Sequence, residues 1–193
     1  MSSPSDPGLK RVLTAALTLF GRHGFQRTSM ADIAREAGIA RATLYLRFCE
    51  KRAVFEALAS LLVDEALSRA DAAWVPGAPL SENIAATLLA KDLGFFRMLH
   101  ATPHGAELLG SQAEMTTVHV ARLDAGFVAL LARRGREAVR EGADLMAFDD
   151  PDGFAAFLAA AGSGLKREML TEEAFRSAIR RLARVSARAA DQT

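Results

Sequence analysis

An all-α fold is predicted for this chain of 193 residues. Ala, Leu, Arg and Glu dominate the composition, which favours helix. Apolar residues recur at three- and four-residue steps, the period of a helix with one buried face. No segment has the alternating pattern of a half-buried strand.

The hydrophobic fraction of 50% can fill a sizeable core, and 24% charged residues is too ordinary a share to signal disorder. The net charge of +1 conceals an asymmetry. From Leu9 to Arg52, nine Lys and Arg face three Asp and Glu, a surplus of +6 that leaves −5 for the remainder. A basic head on an acidic body suits phosphate binding by the head. The single cysteine, Cys49, excludes an intrachain disulfide. No apolar run reaches the roughly 20 residues of a membrane span. The N-terminus lacks the basic and apolar regions of a signal peptide, so a cytoplasmic location is expected.

A first helix is expected from Pro7 to Arg22, with Leu9, Val12, Leu13, Ala16, Leu17 and Phe20 on one stripe and Gly24 as its stop. Phe25 then turns into the core. The second begins at Thr28 or Ser29, where Ser29 and Asp32 have the spacing of a capping box, and Gly38 ends it. A short third helix, Ala40 to Arg47, is anchored by Leu44 and Phe48. The fourth runs from Lys51 to Ala73. Pro76, Gly77 and Pro79 then break the pattern and predict a domain boundary. Beyond it, Ser81 caps a helix through Leu99. Thr102-Pro103 opens another, Gly110-Ser111 interrupts, and a long helix reaches Arg134 before Gly135 and Gly142 punctuate the chain. Two last helices start at Asp150-Pro151 and Thr171-Glu172. About nine helices result, in three parts: 7–52, a connecting helix and linker at 53–79, and a body at 80–193.

Residues 29–48 read as a helix-turn-helix. A major groove about 12 Å wide admits one helix, braced by a second across the backbone. Gly38 supplies the tight turn between them, since it takes positive φ without steric cost. Outward positions carry suitable chemistry: Arg41 forks onto guanine or phosphate, Thr43 offers a hydroxyl and a methyl, and Tyr45 and Arg47 face phosphates. Thr28 and Lys51 stand at helix N-termini, which favour anions. Base reading is assigned to Arg41, Ala42 and Thr43, and positioning to the others.

The run A-A-L-T-L-F-G-R-H-G-F-Q-R-T-S-M-A-D-I-A-R-E-A-G-I-A-R-A-T-L-Y-L-R-F-C-E-K-R-A-V-F resembles the N-terminal domain of tetracycline-repressor (TetR) family transcriptional regulators, from Leu9 to about Leu62. The resemblance implies a homodimer that binds a double-stranded DNA operator through its first three helices. It also implies a helical body that takes a small apolar or amphipathic effector. Dimerisation is then expected through the last two helices, with Phe157, Ala161, Gly164, Leu165, Phe175, Ile179 and Leu182 at the interface. Phe95, Phe96, Leu99, Met115, Phe127 and Phe154, with His100 and His119, either line an effector cavity or fill the core. Departures from the family pattern fall at Ala42, Leu46, Arg47, Cys49 and Ala40. The last costs the third helix its side-chain cap, about 1 kcal/mol.

His100 and His104 have i, i+4 spacing, but Pro103 lies between them and no Cys cluster joins them; no metal site and no cofactor are expected. No Walker loop, G-x-G-x-x-G or G-x-S-x-G occurs, so an enzyme is the weaker alternative. A helix-turn-helix regulator without an effector, constitutive or controlled by a protein partner, is the nearer one.

Overall fold

The computed structural model describes residues 6–105 and 113–190, the side chains of 101 and 113–115 excepted. Eight α-helices and one 3₁₀ turn make up the described residues, with no strand. They are α1 (Pro7–His23), α2 (Met30–Glu36), α3 (Arg41–Tyr45), α4 (Lys51–Ala72), α5 (Leu80–Ala101), α6 (Ala113–Arg140), α7 (Pro151–Glu168) and α8 (Glu172–Ala190); the 3₁₀ turn is Met146–Phe148. No helix among the described residues is long and apolar enough to cross a membrane.

The chain divides into two compact units, Met1–Val63 with Met98–His119, and Asp64–Arg97 with Val120–Thr193. The division falls inside α4, not at the Pro/Gly segment where the sequence predicts a boundary. That segment is a tied turn within the second unit. Trp74 is buried. The Asn83 side chain accepts from the Val75 amide at 2.8 Å and donates to the carbonyls of Val75 and Ala78 at 2.9 and 3.3 Å.

In the first unit, the stripe of α1 meets Ile33, Leu44, Val54, Phe55 and Leu58 in one apolar cluster. Phe25 joins it as expected, its ring 5.3 Å from that of Phe20 and 5.5 Å from that of Phe55. Tilted and edge-on arrangements like these suit the ring quadrupoles.

The second unit buries Ile84, Leu88, Phe127, Leu131, Phe154, Leu158, Phe175 and Ile179. Phe96 and Phe175 stack with centroids 4.9 Å apart, joining α5 to α8. Near them, the Arg97 guanidinium donates two bonds to Glu172, of 2.7 and 2.8 Å. Together with Arg176 it holds the Glu172 carboxyl at about 2.

One expectation changes, and two others fall at or beyond the edge of the described residues. The helix expected to stop near Gly135 runs through it to Arg140. Gly135 serves close packing instead: a Cβ there would lie 3.2–3.3 Å from Phe154, Leu145 and Pro151. The Thr102 hydroxyl donates back to the Met98 carbonyl at 2.8 Å, and the helix expected to open at Thr102-Pro103 runs into residues outside the described ones. Gly110-Ser111 lies outside the described residues.

Gly38 offers a clean test of the backbone. Its φ is +65°, and a Cβ there would meet nothing within 4 Å. Gly38→Ala is therefore expected to destabilise the first unit by about 1 kcal/mol through conformation alone, read as a lower urea midpoint with an unchanged m-value.

Candidate nucleic-acid interface

Three local devices shape the helix-turn-helix. Ser29 caps α2: its Oγ accepts from the Asp32 amide at 3.2 Å, while Asp32 accepts from the Ser29 amide at 3.0 Å. This is the predicted capping box, closed by Asp in place of the longer Glu. At the other end, the Gly38 amide donates to Arg35 at 3.2 Å and the Ile39 amide to Ala34 at 3.0 Å. That pair is a Schellman motif, which needs the positive φ of Gly38. Finally, Leu44 is fully buried and Phe48 packs on the same core, so α3 is pinned by one face. Ala40 gives α3 no side-chain cap, as its sequence implies.

The predicted contact residues separate into two groups. Arg41, Ala42, Thr43 and Tyr45 are exposed on α3. The Arg41 guanidinium donates to the Tyr45 hydroxyl at 3.4 Å and lies 5.4 Å from its ring centroid. One turn of helix thus holds the arginine extended along the tyrosine.

Thr28, Arg47 and Lys51 are engaged within the chain. Thr28 is only 3% exposed, and its hydroxyl donates to the Gly24 carbonyl at 2.9 Å. Its hydroxyl is thus committed to the loop that precedes α2. Lys51 donates to the carbonyls of Phe25, Gln26 and Thr28 at 2.6, 3.2 and 2.8 Å, with its ammonium 4.4 Å from the Phe25 ring centroid. All three of its donors are used inside the α1–α2 loop, and burial pulls its pKa below that of an ordinary lysine. Arg47 donates to Asp6, whose other oxygen caps α1 by accepting from the Gly8 amide at 2.8 Å. The Arg47 bond, with the Gly8 amide, holds the Asp6 carboxyl below the usual carboxylate range.

The sequence marks Leu46 only as a departure from the family pattern, since leucine cannot grip a phosphate. It is 87% exposed, at the end of α3. The helical period itself is the signal that finds it. Cys49 is also exposed.

The effector candidates are divided between the units. Phe96, Phe127 and Phe154 are buried core side chains of the second unit, and Phe95 is half-buried there. They fill the core because α5, α6 and α7 close on one another at these positions. Leu99, His100 and His119 belong to the first unit, and the Met115 side chain lies outside the described residues. At the expected dimer face, Ala161, Gly164, Leu165 and Leu182 line an open apolar groove of about 730 Å³ between α7 and α8. Phe157 is exposed near it. Phe175 and Ile179 are corrected: both are fully buried, on the inward side of α8.

A short helix projected by a braced partner, under a basic surface, defines the helix-turn-helix class of DNA-binding domain. Residues 12–58 match the family of bacterial regulatory proteins called the tetR family, and the N-terminal domain is similar to that family's. The HTH-type transcriptional regulator YhgD of Bacillus subtilis (strain 168) is 32% identical over 81 residues, which are 42% of this chain and 42% of that protein. The curated relatives YfiR and YvdT of the same strain likewise share less than half of their length with this chain. Among solved structures, the fatty acid degradation regulator FadR from Bacillus halodurans superposes with a TM-score of 0.72 at 15% identity, over 96% of this chain and 97% of that one. The flavonoid-responsive regulator FrrA gives 0.58 at 29% identity, over 94% and 96%.

Replacing Lys51 by Met removes the ammonium and keeps most of the stem. The expected result is a loss of about 2 kcal/mol of stability, with the salt dependence of DNA affinity unchanged. A shallower salt slope with full stability would instead mark Lys51 as a phosphate contact.

Proposed function

We propose that this protein is a cytoplasmic, non-enzymatic transcriptional repressor that acts as a homodimer on a palindromic DNA operator and responds to a small apolar or amphipathic effector. The observation that carries the DNA reading is the exposed face of α3. There Arg41, Thr43 and Tyr45 present a guanidinium and two hydroxyls within a segment of net charge +6. In a dimer, two such helices would enter successive major grooves about 34–36 Å apart.

The dimer reading is supported by the groove between α7 and α8. Its lining is mostly apolar, with Glu168, Ser177 and Arg181 among it, and Val185 is 62% exposed. No Cβ blocks close approach at Gly164. A second copy packing α7 and α8 against their equivalents would bury this face in a four-helix bundle.

The effector reading is supported by polar groups enclosed in the second unit. Lys91 and Asp92 are buried and 3.2 Å apart, and Lys166 donates to the same Asp92 oxygen at 2.8 Å. The Lys91 ammonium lies 4.4 Å from the Phe127 ring centroid, and burial pulls its pKa down against the pull of Asp92. The second oxygen of Asp92 and the Thr87 hydroxyl have no hydrogen-bond partner among the described residues. Such groups are costly to bury unmet, and a ligand with a polar end would meet them. FrrA, a structural relative, is flavonoid-responsive. Because α4 contributes residues to both units, a ligand that favours one setting of α4 would alter operator affinity. It must bind the two settings with different affinity to do so.

Two measurements test this. Log affinity for an operator duplex should fall steeply with log salt, by about 0.9 per phosphate neutralised, and Arg41→Ala should cost about 2 kcal/mol of operator binding. A flat salt profile, or full affinity in the variant, would refute the DNA surface. Leu182→Glu should give a folded monomer by sedimentation and abolish tight operator binding. A stable dimer in that variant would place the interface elsewhere.

A further inference from the structure

The outward face of α3 can be located from its anchors. At about 100° per residue, the buried Leu44 and the core-packed Phe48 lie about 40° apart on the helical wheel. The direction opposite their midpoint falls on Leu46. Ala42 sits about 40° to one side and Thr43 about 60° to the other. The Leu46 amide donates to the Ala42 carbonyl at 3.0 Å, so the helical turn extends to Leu46 and places the two side chains on one face. Leu46 is therefore the outermost side chain of the helix, and it is 87% exposed.

A single exposed leucine is ordinary on a protein surface. This one is set apart by its surroundings. Arg41 and Tyr45 flank it on one side and Thr43 on the other, with Arg47 beyond it and paired to Asp6, in a segment with a surplus of six positive charges. That frame selects a polyanion, and the apolar centre selects what is apolar on a polyanion. In the major groove the one apolar group of the base edges is the 5-methyl of thymine.

We propose that Leu46, with the Ala42 methyl beside it, reads thymine methyl groups in the major groove, and so biases the operator toward thymine where the centre of α3 meets it. The inference rests on the DNA-binding reading and adds a specificity-determining residue to it. Arg41 fixes guanine or phosphate at the margin of the face, while Leu46 supplies discrimination without a hydrogen bond.

The test uses the full chain and synthetic DNA. Random-sequence duplexes are enriched on the wild-type protein, and the winning site is resynthesised with uracil for thymine, which removes only the methyl groups. Wild-type affinity should drop about fourfold for each methyl that Leu46 covers. Leu46→Ala should bind the thymine site more weakly and lose most of the thymine–uracil difference, while retaining wild-type helicity and dimerisation. Equal wild-type affinity for the two duplexes overturns the inference, as does a full difference in Leu46→Ala or an enriched site without thymine in its arms. If no sequence is enriched at all, the DNA-binding reading fails and this inference falls with it.

Discussion

The first unit depends on one lysine. The connection between α1 and α2 must bring its chain round sharply, which leaves the carbonyls of Phe25, Gln26 and Thr28 without helical partners. Lys51, at the first turn of α4, gathers all three. It thereby fixes the start of α4 against the loop that precedes the helix-turn-helix. Thr28 completes the arrangement from within by donating to Gly24. Below the ammonium, the Phe25 ring provides both an apolar support and a π face. An isolated ion pair would fix one point. Three carbonyls from a four-residue stretch fix the path of the backbone, and every outward residue of α3 inherits its position from that path.

Much of this unit was legible in the sequence because each device is local. Ser29 and Asp32 are three residues apart, Gly38 takes its own φ, and the stripe from Leu9 to Phe20 repeats with the helix. What stayed hidden depends on partners distant along the chain. Lys51 looks like a free cation until the loop at 25–28 is seen beside it. Arg47 looks like a phosphate grip until Asp6, forty-one residues away, is found on it. Gly135 reads as a break because glycine weakens a helix, yet three side chains crowd it and make it a point of contact. In α8 the periodicity identified an apolar face, but α8 has two, and only tertiary packing assigns Phe175 and Ile179 to the inside and Leu182 to a half-buried position at the core's edge.

The second unit joins two kinds of interior. Most of it is close-packed aromatic and aliphatic side chains, where a stacked Phe96 and Phe175 hold α5 to α8. Along α5 the chain nonetheless buries Lys91 and Asp92, which leucines would replace at lower cost in desolvation. Stability does not account for that choice. These groups lie between α6 and α7, with one Asp92 oxygen and the Thr87 hydroxyl left unmet among the described residues.

The third helix has five residues and no capping side chain, far too few to hold its shape alone. Its order comes from Leu44, Phe48 and the Gly38 turn, all on the hidden side. Arg41, Ala42, Thr43 and Leu46 consequently contribute little to whether the domain folds. They can be exchanged at small risk to the fold, so the outward chemistry of α3 can vary while its architecture stays intact. Folding is written on one side of this short helix, which leaves the other side free of that constraint.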